Sequence, residues 1–187
     1  MRTALAIAVI ALVSLAIVTG PTGAQTTTET GSGTSQQLGS TTFYNGRVTS
    51  GTDTTIWSGT SQQLGPFTYH TFRGSDGQFT TGTTQQLGPF EYHNFRNSDG
   101  TTTNGTSQQL GPFTHHNFRS NDGSTATGTS QRLGPFEYHN FRGSDGSTTT
   151  GSSQELGTTT FYDFTKTEPI APLPDPFDSL WGEDPDE

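Results

Sequence analysis

Residues 59–81 read GTSQQLGPFTYHTFRGSDGQFTT, and the same 23-residue phrase restarts at Gly82, Gly105 and Gly128. Every copy keeps Gln-x-Leu-Gly-Pro-Phe, then a His, a Phe-Arg pair and an Asp-Gly step. Partial copies flank the array: GTSQQLGSTTFYN from Gly33 and GSSQELGTTTFYDF from Gly151. A fixed period of this length means that similar structural units pack on one another, since one unit cannot bury its own apolar face.

Within one copy the strand-forming stretches are residues 60–64 and 67–73. Gly65-Pro66 separates them and a Gly-Ser-Asp-Gly turn follows. Period-2 alternation places Thr60, Gln62 and Leu64 on one face and Ser61 and Gln63 on the other. In the second stretch Phe67 and Tyr69 share one phase, while His70 and Phe72 share the opposite one. Phe67 and Phe72 therefore point to different sides unless a bulge intervenes.

These patterns lead to an all-β expectation: a β-solenoid or cross-β stack of about six rungs over residues 33–165. Coils repeating every ~4.8 Å would align Leu64, Leu87, Leu110, Leu133 and Leu156 in one buried column. A second column would hold Phe72, Phe95, Phe118, Phe141 and Phe164. Gln62, Gln85, Gln108, Gln131 and Gln154 would form an amide ladder of the kind that supports cross-β stacking. On this reading Leu110→Asp disrupts the rod. Arg132 and Glu155 fall in one column as an opposite-charge pair.

The boundaries are residues 1–24 as a secretory leader and 25–32 as a polar linker. An N-terminal cap rung follows at 33–58, with an insertion bulging out before the second rung. Four repeats fill 59–150, a C-terminal cap rung fills 151–165, and an acidic Pro-rich tail runs over 166–187. The leader rests on Arg2, the apolar run from Ala4 to Val18 and the small residues before Gln25. That run is short for a membrane span, and no later segment reads as one, so the protein is expected to be secreted, at the cell surface or in a periplasm.

Composition narrows the chemistry. Cysteine is absent, which excludes disulfides and thiolate chemistry. Thr supplies 37 residues and Gly 24, which suits strands and turns over helices. The net charge of −9, with one lysine against seven acids from Lys166 onward, leaves no basic stripe for nucleic acid.

His70, His93, His116 and His139 recur at one position, joined by His115, and a histidine column is a possible divalent-metal ladder. The turn aspartates Asp76, Asp99, Asp122 and Asp145 are possible calcium ligands, although Asp-Gly is also what a tight turn prefers. Arg73, Arg96, Arg119 and Arg142, three residues away, are expected to neutralise them. Since these groups occur in near-identical copies, they do not form the asymmetric set that catalysis requires. No cofactor and no enzymatic activity are expected.

The plan of leader, polar linker and about five tandem strand-turn-strand repeats with a Gln-x-Gly step, here Gln63-Leu64-Gly65, resembles the curli family of bacterial extracellular amyloids. That resemblance implies a self-assembling fibre or matrix subunit whose principal partner is another copy of itself. The other reading is a rod that binds carbohydrate, ice or metal. In the tail, Phe177, Leu180 and Trp181 form a candidate docking motif for an export, anchoring or assembly partner.

Overall fold

The computed structural model describes residues 28–169. It contains twelve strands and no helix among them: Thr28–Leu38 (β1), Thr41–Ser50 (β2), Asp53–Leu64 (β3), Phe67–Gly74 (β4), Phe79–Leu87 (β5), Phe90–Asn97 (β6), Thr102–Leu110 (β7), Phe113–Ser120 (β8), Thr125–Leu133 (β9), Phe136–Gly143 (β10), Thr148–Leu156 (β11) and Thr159–Thr167 (β12). Each strand pairs antiparallel with its sequence neighbours. β1 pairs with β12, from Thr28↔Thr167 to Gln36↔Thr159, and closes the sheet into an up-and-down barrel.

The 23-residue repeat is thus one β-hairpin of a barrel wall, and the expected solenoid or cross-β stack is replaced by six hairpins side by side. The reason lies in the two turns of each copy. Leu64 pairs with Phe67 across Gly65-Pro66, and Gly65 has φ 61°, which a two-residue hairpin loop with glycine first requires. The Asp-Gly turn is the three-residue hairpin type: Gly77 N–H donates to Gly74 O at 3.2 Å, Gly74 N–H to Gln78 O at 2.9 Å, and Gly77 has φ 87°. Two successive tight hairpins reverse the chain twice, so consecutive copies lie beside each other in one sheet.

The turn signature has a second use. Ser75, Ser98, Asn121 and Ser144 each donate a backbone N–H to the strand that begins the preceding hairpin, at Ile56, Phe79, Thr102 and Thr125. Their side-chain oxygens accept the N–H of those same four residues at 3.0–3.2 Å. The Ser/Asn-Asp-Gly turns thereby stitch neighbouring hairpins together at one end.

Several boundaries shift. Residues 28–32 of the expected linker lie within β1, and the expected insertion forms no bulge. Residues 46–58 are the ends of β2 and β3, joined by a two-residue turn in which Ser50 pairs with Asp53. Lys166 and Thr167, placed in the tail, belong to β12. Phe177, Leu180 and Trp181 lie outside the described residues.

Moving from one hairpin to the next, the inward-facing levels step by two residues: Tyr44 is opposite Gly59 across the junction but level with Ser61, and His70 is opposite Gly82 but level with Thr84. Such a stagger tilts the strands as barrel closure demands. A twelve-stranded wall encloses a wide interior, and large rings fill it. Even strands contribute Phe72, Phe95, Phe118, Phe141 and Phe164, all buried. The odd strand opposite each offers a glycine: Gly59, Gly82, Gly105, Gly128 or Gly151. A Cβ on Gly59, Gly82, Gly105 or Gly128 would overlap the facing ring.

Gly46 stands where the repeats carry Phe. The space is filled from β3 by Trp57, which is buried and whose indole occupies the place of a Gly46 Cβ. Tyr44, Trp57, Phe72, Tyr162 and Phe164 form one cluster, with Val48 against it. Each such ring contributes about 1.5–3 kcal/mol through burial.

Candidate functional site

One level nearer the Gly-Pro turns, every strand sends one polar side chain inward. Odd strands supply Ser35, Ser61, Thr84, Ser107, Ser130 and Ser153; even strands supply Tyr44, His70, His93, His116, His139 and Tyr162. All twelve are buried. Ring faces hydroxyl across each hairpin, as in Ser61↔His70 and Ser107↔His116.

The hydrogen bonds run continuously. Ser61 Oγ is 2.7 Å from His70 Nδ1, and His70 Nε2 is 3.0 Å from Thr84 Oγ1. Thr84 Oγ1 reaches His93 Nδ1 at 3.0 Å, and His93 Nε2 reaches Ser107 Oγ at 2.8 Å. Ser107 leads to His116 Nδ1 at 2.7 Å, His116 Nε2 to Ser130 at 2.9 Å, and Ser130 to His139 Nδ1 at 2.8 Å. The relay ends at His139 Nε2, which has no hydrogen-bond partner among the described residues. A neutral imidazole has one donor and one acceptor nitrogen, and a hydroxyl has one proton. The bonds along the belt therefore share one direction.

Burial holds the four imidazoles neutral: His70, His93 and His139 fall to about 4 and His116 to about 3. The rings also pack on phenyls, His70 between Phe72 at 6.4 Å and Phe95 at 5.6 Å between centroids. The histidine column is real in sequence, but each nitrogen of His70, His93 and His116 faces a hydroxyl, and the column is a structural belt. His115 lies on the outer face.

The turn aspartates cap their own turns. Asp99 Oδ1 accepts from Thr101 N–H at 2.8 Å and Thr101 Oγ1 at 2.7 Å, Asp122 from Ser124 in the same way, and Asp76 and Asp145 from the N–H two residues on. The arginines expected to neutralise them do not: among the described residues, no Arg–Asp pair lies within 4.0 Å. Arg132 and Glu155 do pair, 2.5 Å apart.

At the Asp-Gly end an open cavity of 120 Å³ has Phe118 and Phe141 as its floor, with Thr103, Ala126, Ser147 and Lys166 around it. Ala126 in its lining stands where the other copies have Thr80, Thr103 and Thr149. Buried Lys166 lies 4.0 Å from Glu29 and 2.8 Å from Glu168.

The outer face is where the residues singled out as the rod's interior lie. Leu64, Leu87, Leu110, Leu133 and Leu156, with Leu38, are 51–59% exposed. Gln62, Gln85, Gln108, Gln131 and Gln154 share that outward phase. Successive members sit on alternate strands, so neither set stacks at ~4.8 Å into a column or a ladder. Of the three predicted sets, the one facing inward is Phe72, Phe95, Phe118, Phe141 and Phe164.

The Leu side chains alternate around the Gly-Pro rim with exposed Phe67, Phe90, Phe113 and Phe136. One level inward, Phe43, Tyr69, Tyr92, Tyr138 and Phe161 are also exposed. Two levels further lie outward Arg47, Arg73, Arg96, Arg119 and Arg142. Sequence reasoning missed this girdle because it buried Leu64 and its equivalents together with the Phe72 column, and left the Phe67 and Tyr69 phase opposite Phe72 without a role.

The chain is thus a twelve-stranded up-and-down barrel, plugged by rings and hydroxyls and banded outside by apolar side chains. Comparison with known protein families, curated proteins and solved structures found no match.

Proposed function

We propose that the chain is a secreted structural and adhesive protein of the cell surface or extracellular matrix. What supports this reading is the division of its side chains. The interior is occupied mainly by repeated ring-and-hydroxyl levels, while 15 of the 17 exposed large hydrophobic residues gather in one band outside. A rigid body that presents a uniform band is suited to attachment.

The fibre reading implied by the curli resemblance relied on free strand edges. With β1 paired to β12 along nine residues, the described barrel offers none. Self-association would instead join side-chain surfaces. A second reading, binding of a small apolar ligand, is favoured by the cavity over Phe118 and Phe141.

The test is surface retention of the purified full chain, with electron microscopy and Thioflavin T on the same sample. Retention of compact, dye-negative particles is expected. Dye-positive fibres would replace this reading with the cross-β one, and a freely soluble protein that no surface retains would overturn both.

A further inference from the structure

We propose that the Gly-Pro end of the barrel docks on a phospholipid surface, entering one leaflet with its girdle and stopping there. This rests on the adhesive reading and names what the band adheres to.

The first observation is shape. The rim carries a Leu or Phe from ten of the twelve strands, and the other two, β2 and β12, supply Phe43 and Phe161 one level in. The side chains point radially outward from a closed, convex wall. A globular partner would cover one sector of such a band. A second barrel stacked coaxially would cover the tips and leave the band in water. A planar medium that surrounds the whole perimeter covers it all.

Depth is the second. Alternate residues along a strand are ~6.7 Å apart, which at a barrel tilt of about 40° separates levels by about 5 Å. The Leu/Phe rim and the aromatic level behind it make a band of about 5–10 Å, the depth to which interfacial apolar faces enter a leaflet. It falls well short of the ~25 Å apolar band of a spanning barrel, because Thr, Ser, Asn and one acid, Asp163, and then Arg follow on the outer face. The aromatic level alternates with Gln36, Gln62, Gln85, Gln108, Gln131 and Gln154, and aromatic rings with polar neighbours favour the boundary between tails and headgroups.

Charge is the third. No Asp, Glu, Lys or Arg lies on the outward phase of either level; the Arg132–Glu155 ion pair sits at the same depth on the inward phase. The first outward cationic level is the ring of five arginines about 15 Å above the rim, from the same strand geometry. Headgroups of a leaflet penetrated to 5–10 Å lie between band and ring, where anionic lipids complement the arginines. The tips also suit an apolar medium. Pro66 O accepts from Gln86 N–H at 2.9 Å, and the Gly39, Gly65 and Gly111 carbonyls accept from Gln37, Gln63 and Gln109 side chains at 3.1–3.5 Å. Pro has no N–H to leave unpaired.

The experiment uses the full chain with phosphatidylcholine vesicles, with and without phosphatidylglycerol, in a flotation assay. The comparison variant is Phe90→Ser/Phe113→Ser/Phe136→Ser; the leader is common to both proteins, so their difference reports the girdle. The variant is expected to lose at least tenfold in partitioning with an unchanged melting temperature, since all three rings are exposed. Phe90→Trp should shift its emission to the blue and be quenched by shallow brominated lipids, whereas Phe79→Trp at the opposite end should do neither. Arg96→Gln/Arg119→Gln should reduce only the gain from phosphatidylglycerol. Equal flotation of parent and triple variant, or lipid contact at position 79 and not 90, would overturn the proposal. Retention on a non-lipid surface with no flotation would overturn it while leaving the adhesive reading in place.

Discussion

Gly105 of β7 sits directly opposite Phe118 of β8, and the phenyl ring occupies the volume that a Gly105 Cβ would need. The pair recurs at each repeat hairpin. The first residue of the repeated phrase is therefore glycine for packing, and the Phe of Phe-Arg is its partner.

Gly105→Ala should destabilise the barrel by about 1–3 kcal/mol through overpacking, and Phe118→Ala by about 3–5 kcal/mol through the cavity it leaves. The two changes share one space, so Gly105→Ala combined with Phe118→Ala should cost less than the sum of the single changes. Denaturant unfolding of the four proteins measures this coupling, and strict additivity would separate the glycine from the ring.

The histidine belt sets a pH limit. The four imidazoles ionise near 6.5 when unfolded but only at about 3–4 in the barrel. The unfolded chain thus binds more protons between those values, and stability falls as pH drops through 6.5 toward 4. At about 1.4 kcal/mol per unit and site, the four together reach the order of 10 kcal/mol, comparable with the whole stability of a domain. The melting temperature should be insensitive to the histidines above pH 7 and decline steeply below 6. A flat profile from pH 7 to 4 would contradict the buried belt.

Glu91 acts with the opposite sign. It is buried beside His93 Nε2 at 4.0 Å, and burial raises its pKa from 4.5 to about 7. The folded state then holds the extra proton, and stability declines as pH rises through 4.5 to 7. Glu91→Gln should leave stability unchanged near pH 4.5 and raise it by about 2–3 kcal/mol at pH 8. Equal melting temperatures of parent and variant at pH 8 would refute the shift.

Strand phases were legible from alternation. Ser61 and Gln63 oppose Thr60, Gln62 and Leu64, and His70 and Phe72 oppose Phe67 and Tyr69, as residue spacing requires. Which phase faces inward was not legible from hydrophobicity. Leu64, Phe67 and Tyr69 make the more apolar side, yet the barrel buries the side where Ser61 pairs with His70 and Gly59 lies under Phe72. Burial of Ser and His becomes acceptable only when their hydrogen bonds are made, and those partners lie on neighbouring strands. The barrel itself was foreshadowed by the turns. Gly65-Pro66 and Asp76-Gly77 are both hairpin loops, and two in each repeat leave no residues for a solenoid coil.

Leu110 and Ser107, three residues apart on β7, separate outside from inside. Leu110 is 51% exposed, so Leu110→Asp should change stability by about 0.5 kcal/mol or less, where a buried column would have made it disruptive. Ser107 is buried and joins His93 Nε2 at 2.8 Å to His116 Nδ1 at 2.7 Å. Ser107→Val keeps the strand propensity but strands two buried imidazole nitrogens, at a cost of about 2–4 kcal/mol. The ranking is the reverse of ordinary hydrophobicity: a charge replacing leucine is tolerated, and an apolar residue replacing serine is not. Thermal unfolding of the two variants at pH 7.5 decides it, and a larger loss for Leu110→Asp would turn the barrel wall inside out.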